Sequence, residues 1–292
     1  MSPPRPPGRP KGAAPPGGRL AQRASGGSPP RPLADMPREA RAGIRGVLTD
    51  IDDTLTTHGR LTPRAYAALA RLQDAGRLVV PITGRPAGWC DHIARMWPVD
   101  GVVGENGAFW MRYDAGRRKL VRRFGIGEDE RRANRARLAA VGERIVAAVP
   151  GCALASDQQY RETDLAIDFR EDVPPLPRES VDRIVAMMEA EGMTAKVSSI
   201  HVNGWFGRYD KLGMTRTFLA EALDIDLDAE RERFVFAGDS PNDAPMFAYF
   251  PNSVGVANVR AFLDRIATPP AWITESQAGA GFVELARFLV GA

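Results

Sequence analysis

Val47-Leu48-Thr49-Asp50-Ile51-Asp52-Asp53-Thr54 passes from an apolar pair to three carboxylates within four positions, then to a hydroxyl. Val47 and Leu48 read as the end of a buried parallel strand. Asp50, Asp52 and Asp53 would emerge at its carboxyl end, where open α/β sheets place their ligand crevice. Carboxylates this close repel one another, so the cluster costs stability unless a cation neutralises it. Asp50 and Asp52 are two apart, and in an extended stretch their side chains point the same way. Two carboxylates on one face, with strand carbonyls beside them, suit a hard divalent ion that prefers oxygen. The plainer reading of these residues is an Asp-rich turn leading into helix N-cap positions.

The chain around this stretch has 292 residues, enough for a large core in one or two domains. Its hydrophobic fraction of 44% and charged fraction of 26% are those of an ordinary globular protein. No apolar run approaches the roughly 18 residues of a membrane span. Cys90 and Cys152 lie far apart without metal-ligand spacing and read as reduced thiols of a cytoplasmic protein. The formal charge is +3, yet residues 1–42 alone carry eight Lys and Arg against Asp35 and Glu39, so residues 43–292 sum to −3. The basic character is that of a Pro/Gly/Arg-rich tail, expected to be disordered over residues 1–43. It lacks the apolar segment of a secretory signal. A basic arm for an anionic partner, a dispensable extension and a start at Met36 all remain open for it.

Downstream, Thr62 and Pro63 open a helix to about Asp74, closed by Gly76. Leu78 to Ile82 form a second buried strand, giving a right-handed β-α-β unit. It ends in Thr83-Gly84-Arg85. Thr83 can donate to a phosphate oxygen, Gly84 lets backbone amides approach an anion, and Arg85 pairs with an anion or covers the surface. Trp89, Ile93 and Met96 fall at helical spacing and read as core. A third strand, Gly101 to Val103, leads to Glu105-Asn106-Gly107, which either faces the crevice or makes a plain Asn-Gly hairpin turn. Residues 109–124 read as a hairpin.

Between about 122 and 203 the pattern becomes that of a small α+β unit. It has helices over 128–148 and 178–191 and strands over 165–169 and 195–203. Ser199, His201 and Asn203 share one face of the last strand, suited either to a polyhydroxylated ligand or to plain solvation. Lys211 stands out because the chain has four lysines against 35 arginines. At a helix start it supplies a point charge and, with the helix N-terminus, a phosphate-binding arrangement. Phe234 to Gly238 form another buried strand ending in Asp239-Ser240-Pro241-Asn242-Asp243, a second acidic strand end. A short strand at 253–256 and a closing helix over 282–289 follow.

Four of these stretches resemble the haloacid dehalogenase-like phosphohydrolases. Asp50-Ile51-Asp52-Asp53-Thr54 matches the motif D-x-D-x-T, and Thr83 the strand-end hydroxyl. Lys211 matches the lysine, and Gly238-Asp239-Ser240-Pro241-Asn242-Asp243 the motif G-D-x-x-N-D. The 122–203 unit and Glu105 to Ala108 resemble the branch with sucrose-phosphate, mannosylglycerate-phosphate and trehalose-phosphate phosphatases. The resemblance implies an α/β fold, with a Rossmann-like parallel-sheet core over 44–121 and 204–292 and an inserted α+β cap over 122–203. It implies a Mg²⁺-dependent phosphomonoester hydrolase of small phosphorylated metabolites, sugar phosphates first among them. Asp50 would be the nucleophile and Asp52 the acid and base. Asp50, the Asp52 carbonyl, Asp239 and Asp243 would hold or orient the metal. Thr83, Gly84, Arg85, Asn106, Lys211 and Asn242 would bind phosphate or substrate, joined by Glu105, Arg161, Ser199, His201 and Asn203. Nucleic acid and membrane partners are not expected. A phosphosugar mutase and a non-catalytic binding module are the rivals.

Overall fold

A computed structural model of the protein describes residues 29–291. In chain order the strands are β1 (Arg31–Pro32), β2 (Gly46–Thr49), β3 (Leu78–Pro81), β4 (Val102–Gly104), β5 (Phe109–Asp114) and β6 (Lys119–Phe124). They continue with β7 (Ala153–Leu154), β8 (Asp164–Asp168), β9 (Thr194–Val197), β10 (His201–Trp205), β11 (Phe234–Gly238), β12 (Val254–Gly255) and β13 (Trp272–Ile273). The main sheet has the order β1-β13-β12-β11-β2-β3, all neighbours parallel. A bridge between Ile82 and Val103 joins it to the antiparallel sheet β4-β5-β6.

Helices cover both faces of the main sheet, as parallel strands require. Pro63–Asp74 begins where the Thr62 side chain accepts the Ala65 N–H, and it turns Ala65, Ala68, Leu69 and Leu72 inward. These pack with Phe282 and Leu285 of the helix Ala278–Val290 on one face. On the other face Phe218 and Leu219 meet Phe236, Phe247 and Phe250. β2 leads to β3 on one side while β11 lies on the other, so the chain reverses direction across the sheet at β2. A crevice opens at the carboxyl ends of strands at such a reversal.

The sheet β7-β8-β10-β9 is antiparallel and has its own core. Leu138, Val141 and Ile145 of the helix Glu128–Ala148 and Ile184 and Met188 of the helix Arg178–Ala190 pack on its Ile167 and Val202. The expected α/β class with a parallel core thus holds, with antiparallel sheets added.

Three expectations are corrected. Residues 29–43 are not part of a structureless tail: β1 pairs with β13, Leu33 and Met36 are buried in the core, and Arg38–Gly43 is helical. Averaging over a Pro/Arg-rich segment hid two apolar anchors that dock against an otherwise unpaired strand edge. The expected tail over residues 1–28 lies outside the described residues. Second, 195–203 is two strands, because Ser198 to Ile200 turn the chain and Val202 pairs back onto Val197. Third, of Trp89, Ile93 and Met96 only Ile93 is buried.

A chain beginning at Met36 lacks β1 and buried Leu33. Losing one leucine's burial costs roughly 2 kcal/mol, so its urea midpoint should fall measurably below that of the full chain, at unchanged slope.

Candidate active site

Strand register brings the acidic ends together. Thr49 on β2 pairs with Pro81 on β3 and Ala237 on β11, so Asp50, Thr83 and Asp239 leave three adjacent parallel strands at one edge. Asp50 is buried there, its N–H donating to the Ala237 carbonyl at 2.9 Å. Asp50, Asp239 and Asp243 each place an oxygen within 4.8 Å of the others.

Lys211 reaches into this cluster from the first turn of the helix Lys211–Leu223, which the Asp210 side chain caps through the Gly213 N–H. Its Nζ donates to Asp50 Oδ1 at 2.7 Å and to Asp243 Oδ1 at 2.8 Å. Two glycines permit this packing. Gly107, at φ +104°, lies so close that a Cβ would stand 2.0 Å from the Asp210 carbonyl oxygen. At Gly238 a Cβ would stand 2.5 Å from Asp243 Oδ2. That oxygen instead accepts the Asp239 and Ser240 N–H groups at 3.1 and 3.4 Å, fixing the second acidic loop.

Burial dominates the electrostatics. It pushes the Asp50 carboxyl up to about 8, against the attraction of Lys211 and with help from Asp243 and Asp52. Burial also raises Asp239 well above the carboxylate range, and Asp243, Asp50 and Asp53 add to it. Lys211 is raised: burial alone would lower it, but Asp243 and Asp50 outweigh that. One lysine does not neutralise three buried carboxylates, so the donor set fits a further hard cation with oxygen ligands. Asp50, Asp239 and Asp243 are the side chains able to hold it.

Asp52 points elsewhere. Both its oxygens face Arg85, with Nε at 3.1 and 3.0 Å and Nη2 at 2.8 Å. The Asp52 side chain is therefore not part of the acidic cluster of Asp50, Asp239 and Asp243. Arg85 lines the pockets beside the acidic cluster, where it meets carboxylates of the chain itself. It is 3% exposed and also pairs with Asp157 and Glu171 of the antiparallel unit. Its guanidinium lies 4.5 Å from the centre of the Trp89 ring, which accounts for that exposed tryptophan.

The Thr83 hydroxyl accepts the Arg85 N–H at 3.0 Å, which leaves its own hydrogen free to donate. A Cβ on Gly84 would stand 3.1 Å from Asn106 Nδ2, so Asn106 backs that loop. Asn106 is buried at φ 56°, and its Nδ2 has no partner among the described residues. The Asn242 side chain accepts from Ser240 Oγ at 2.6 Å. Asn242, Asp50, Asp52, Ser199, His201 and Asn203 surround a pocket of about 20 Å³, room for about one water. A groove of about 580 Å³ adjoins it past Asp53, His58, Arg170 and Glu171. A larger cavity of about 910 Å³, by Met96, Leu138 and Tyr160, shares no residue with the acidic cluster.

Two residues expected at the substrate are elsewhere. Arg161 is spent on Asp157, Asp164 and the Gly84 carbonyl. Glu105 is fully buried and accepts the Ala87, Glu162 and Thr163 N–H groups, so it ties the antiparallel unit to the core. Its crevice-facing reading does not hold, whereas the hairpin reading does: residues 105–108 join antiparallel β4 and β5, with Asn106 and Gly107 at positive φ. Conversely, Asn258 was missed. Its Nδ2 donates to Asp239 Oδ2 and to the Asp53 carbonyl, both at 2.9 Å, while its Oδ1 accepts the Ala278 N–H at 3.0 Å. A lone Asn after a short strand carries no spacing that marks it. Glu171 was missed too. It is placed by Asp168, whose Oδ1 accepts its N–H at 2.7 Å.

Residues 47–123 match the family model described as haloacid dehalogenase-like hydrolase. No curated protein matches the chain. A Thermoplasma acidophilum structure aligns at 17% identity over 85% of this chain and 99% of its own, with TM-score 0.64. The C-terminal domain of Candida albicans trehalose-6-phosphate phosphatase aligns at 13% identity over 91% and 99%, with TM-score 0.64. A Plasmodium vivax protein described as a HAD/COF-like hydrolase aligns at 16% over 86% and 98%, with TM-score 0.61. At these identities the structures share the fold. The haloacid dehalogenase-like resemblance drawn from the motifs is thereby shown, with the family match carried by residues 47–123.

Two outcomes follow from the geometry. Asn258→Ala should weaken Mg²⁺ binding, the ion used as probe, by about tenfold in titration calorimetry, since Asn258 orients Asp239. Glu171 is held at about 2: burial pushes it up, but bonds from His201 and Arg85 outweigh that. A carboxylate depressed on folding stabilises fully above its unfolded value of about 4.3 and loses that contribution as pH falls toward 2. Glu171→Gln should therefore cost about 2 kcal/mol at pH 6 and converge with wild type near pH 2, read by urea unfolding at stepped pH.

Proposed function

We propose that the protein is a Mg²⁺-dependent phosphomonoester hydrolase acting on a small phosphorylated metabolite, a sugar phosphate first. The observation that carries this is the buried Asp50 carboxylate held 2.7 Å from Lys211 Nζ, with Asp239 and Asp243 beside it. A pure binding module needs neither a nucleophile so placed nor a carboxylate in the position of Asp52.

In this reading an Asp50 oxygen attacks phosphorus and an aspartyl phosphate forms. The bond from phosphorus to the leaving oxygen breaks as Asp52 gives that oxygen a proton. Asp52 then takes a proton from water, whose oxygen attacks the aspartyl phosphate, releasing phosphate and restoring Asp50. Lys211, the Thr83 hydroxyl and the Gly84 amide donate to the phosphoryl oxygens. When bound, Mg²⁺ offsets the charge between carboxylate and phosphate and so lets the two anions meet. The antiparallel unit acts as a cap: Ser199, His201 and Asn203 face the catalytic pocket from it and read the leaving group. A pocket with room for one water supports a cap that must move before substrate enters. The trehalose-6-phosphate phosphatase neighbour supports a sugar phosphate as first candidate.

The test is phosphate release from a panel of sugar phosphates, phosphorylated sugar acids and nucleotides, with Mg²⁺ or with EDTA. Wild type should release phosphate from one of the sugar phosphates only with Mg²⁺, and Asp50→Asn should lower the rate at least about a thousandfold. Metal-independent release, or an active Asp50→Asn protein, would overturn the mechanism.

A further inference from the structure

The seam between the two units carries a charge relay that hydrolysis alone does not call for. Arg85 belongs to the core loop that follows β3. All of its nitrogens are engaged: Nε and Nη2 bond Asp52, Nη2 bonds Glu171 Oε1 at 2.6 Å, and Nη1 lies 3.3 Å from both Glu171 Oε2 and Asp157 Oδ2. Its backbone is pinned as well, with N–H on Thr83 Oγ1 and carbonyl on the Glu105 N–H. Glu171 approaches from the opposite unit, on a turn that Asp168 fixes by accepting the N–H groups of Arg170, Glu171 and Asp172. His201 Nε2 stands 2.9 Å from Glu171 Oε2, and His201 lines the catalytic pocket. Glu171 thus stands between a pocket-lining side chain of its own unit and, through Arg85, the Asp52 carboxylate of the other.

We propose that Glu171 is a positioning residue that makes cap closure orient the acid–base carboxylate of Asp52, acting through Arg85. The proposal rests on the phosphomonoesterase reading above. Only when the cap is seated can Glu171 take up Arg85 Nη1 and Nη2, leaving the Nε edge and one Nη2 hydrogen to Asp52. A planar guanidinium held on two edges has one orientation, and it transmits that orientation to Asp52. With Glu171 neutralised, Arg85 loses its stronger cap-side partner and is free to turn about the Asp52 pair. The proton donor is then misplaced, while Asp50, Lys211 and the remaining phosphate donors stay where they are.

This has a signature that a merely structural role lacks. A leaving group that departs as a stable anion needs no proton in the first step, whereas a poorer one does. The probes are 4-nitrophenyl phosphate and phenyl phosphate, read by kcat/KM, which stops at departure of the phenol or phenolate. Glu171→Gln should lower kcat/KM for phenyl phosphate by about tenfold and for 4-nitrophenyl phosphate by under about threefold. Arg85→Lys, which keeps the charge but not the fork, should show the same selectivity, and the double variant should lose little more than either single one. Far-UV circular dichroism and thermal midpoints of the variants confirm that each is folded. Equal losses on the two esters, no loss on either, or additive losses in the double variant would overturn the proposal while leaving the phosphatase intact. Wild type cleaving neither ester, nor any compound of the metabolite panel, would overturn the phosphatase reading and this proposal with it.

Discussion

The Lys211 ammonium, shared between Asp50 and Asp243, is the contact on which the rest of the arrangement depends. It ties the end of β2 to the loop after β11 across two strands that the sheet already pairs. Buried carboxylates in such proximity tend toward neutrality, and at Asp50 the charge of Lys211 opposes that tendency. Much of the nearby backbone serves this one placement. Asp210 caps the helix that presents the lysine, the tight turn at Gly107 lets that helix approach, and the amides of Asp239 and Ser240 hold the far side of Asp243.

A second set of charges organises the seam between the parallel core and the antiparallel unit. Each unit has its own apolar core, and between them lie Arg85, Arg161, Glu105, Asp157, Asp164 and Glu171. Buried ion pairs contribute little net stability once desolvation is counted, but they are unforgiving of geometry. An apolar seam is tolerant of small displacements, whereas ion pairs of this kind depend on fixed distances and angles. Arg161 extends the logic to the loop after β3, because it donates to the Gly84 carbonyl at 2.9 Å from the opposite unit.

Where local signals are strong, sequence and structure agree residue by residue. The helix Pro63–Asp74 starts at its Thr62 cap, and Glu128–Ala148 and Arg178–Ala190 fall within one residue of the expected 128–148 and 178–191. Where the deciding partner is distant, local reasoning fails. Leu33 and Met36 looked negligible in a Pro/Arg-rich segment, because the strand edge that orders them is contributed by residues 272–273. Residues 195–203 alternate like one strand, yet a turn at Ser198 to Ile200 folds them back, since β10 finds partners in both β8 and β9.

The site divides along the same line. The sequence by itself determined the first acidic strand end, the lysine and the second acidic loop, because each is a short run of residue types whose chemistry is written in their spacing or in their position after an apolar strand or at a helix start. Only the tertiary structure decided what the remaining charged groups do. Arg85 and Arg161 looked like ligands for an anion from outside, and folding gave them anions from within the chain. Glu105 became a tie between units, and Asn258 and Glu171, unmarked in the sequence, came to bond Asp239 and Arg85. The physical reason is that partners such as Asn258 and Asp53, 205 residues apart, are chosen by burial and strand order, and no local pattern of residues records that choice.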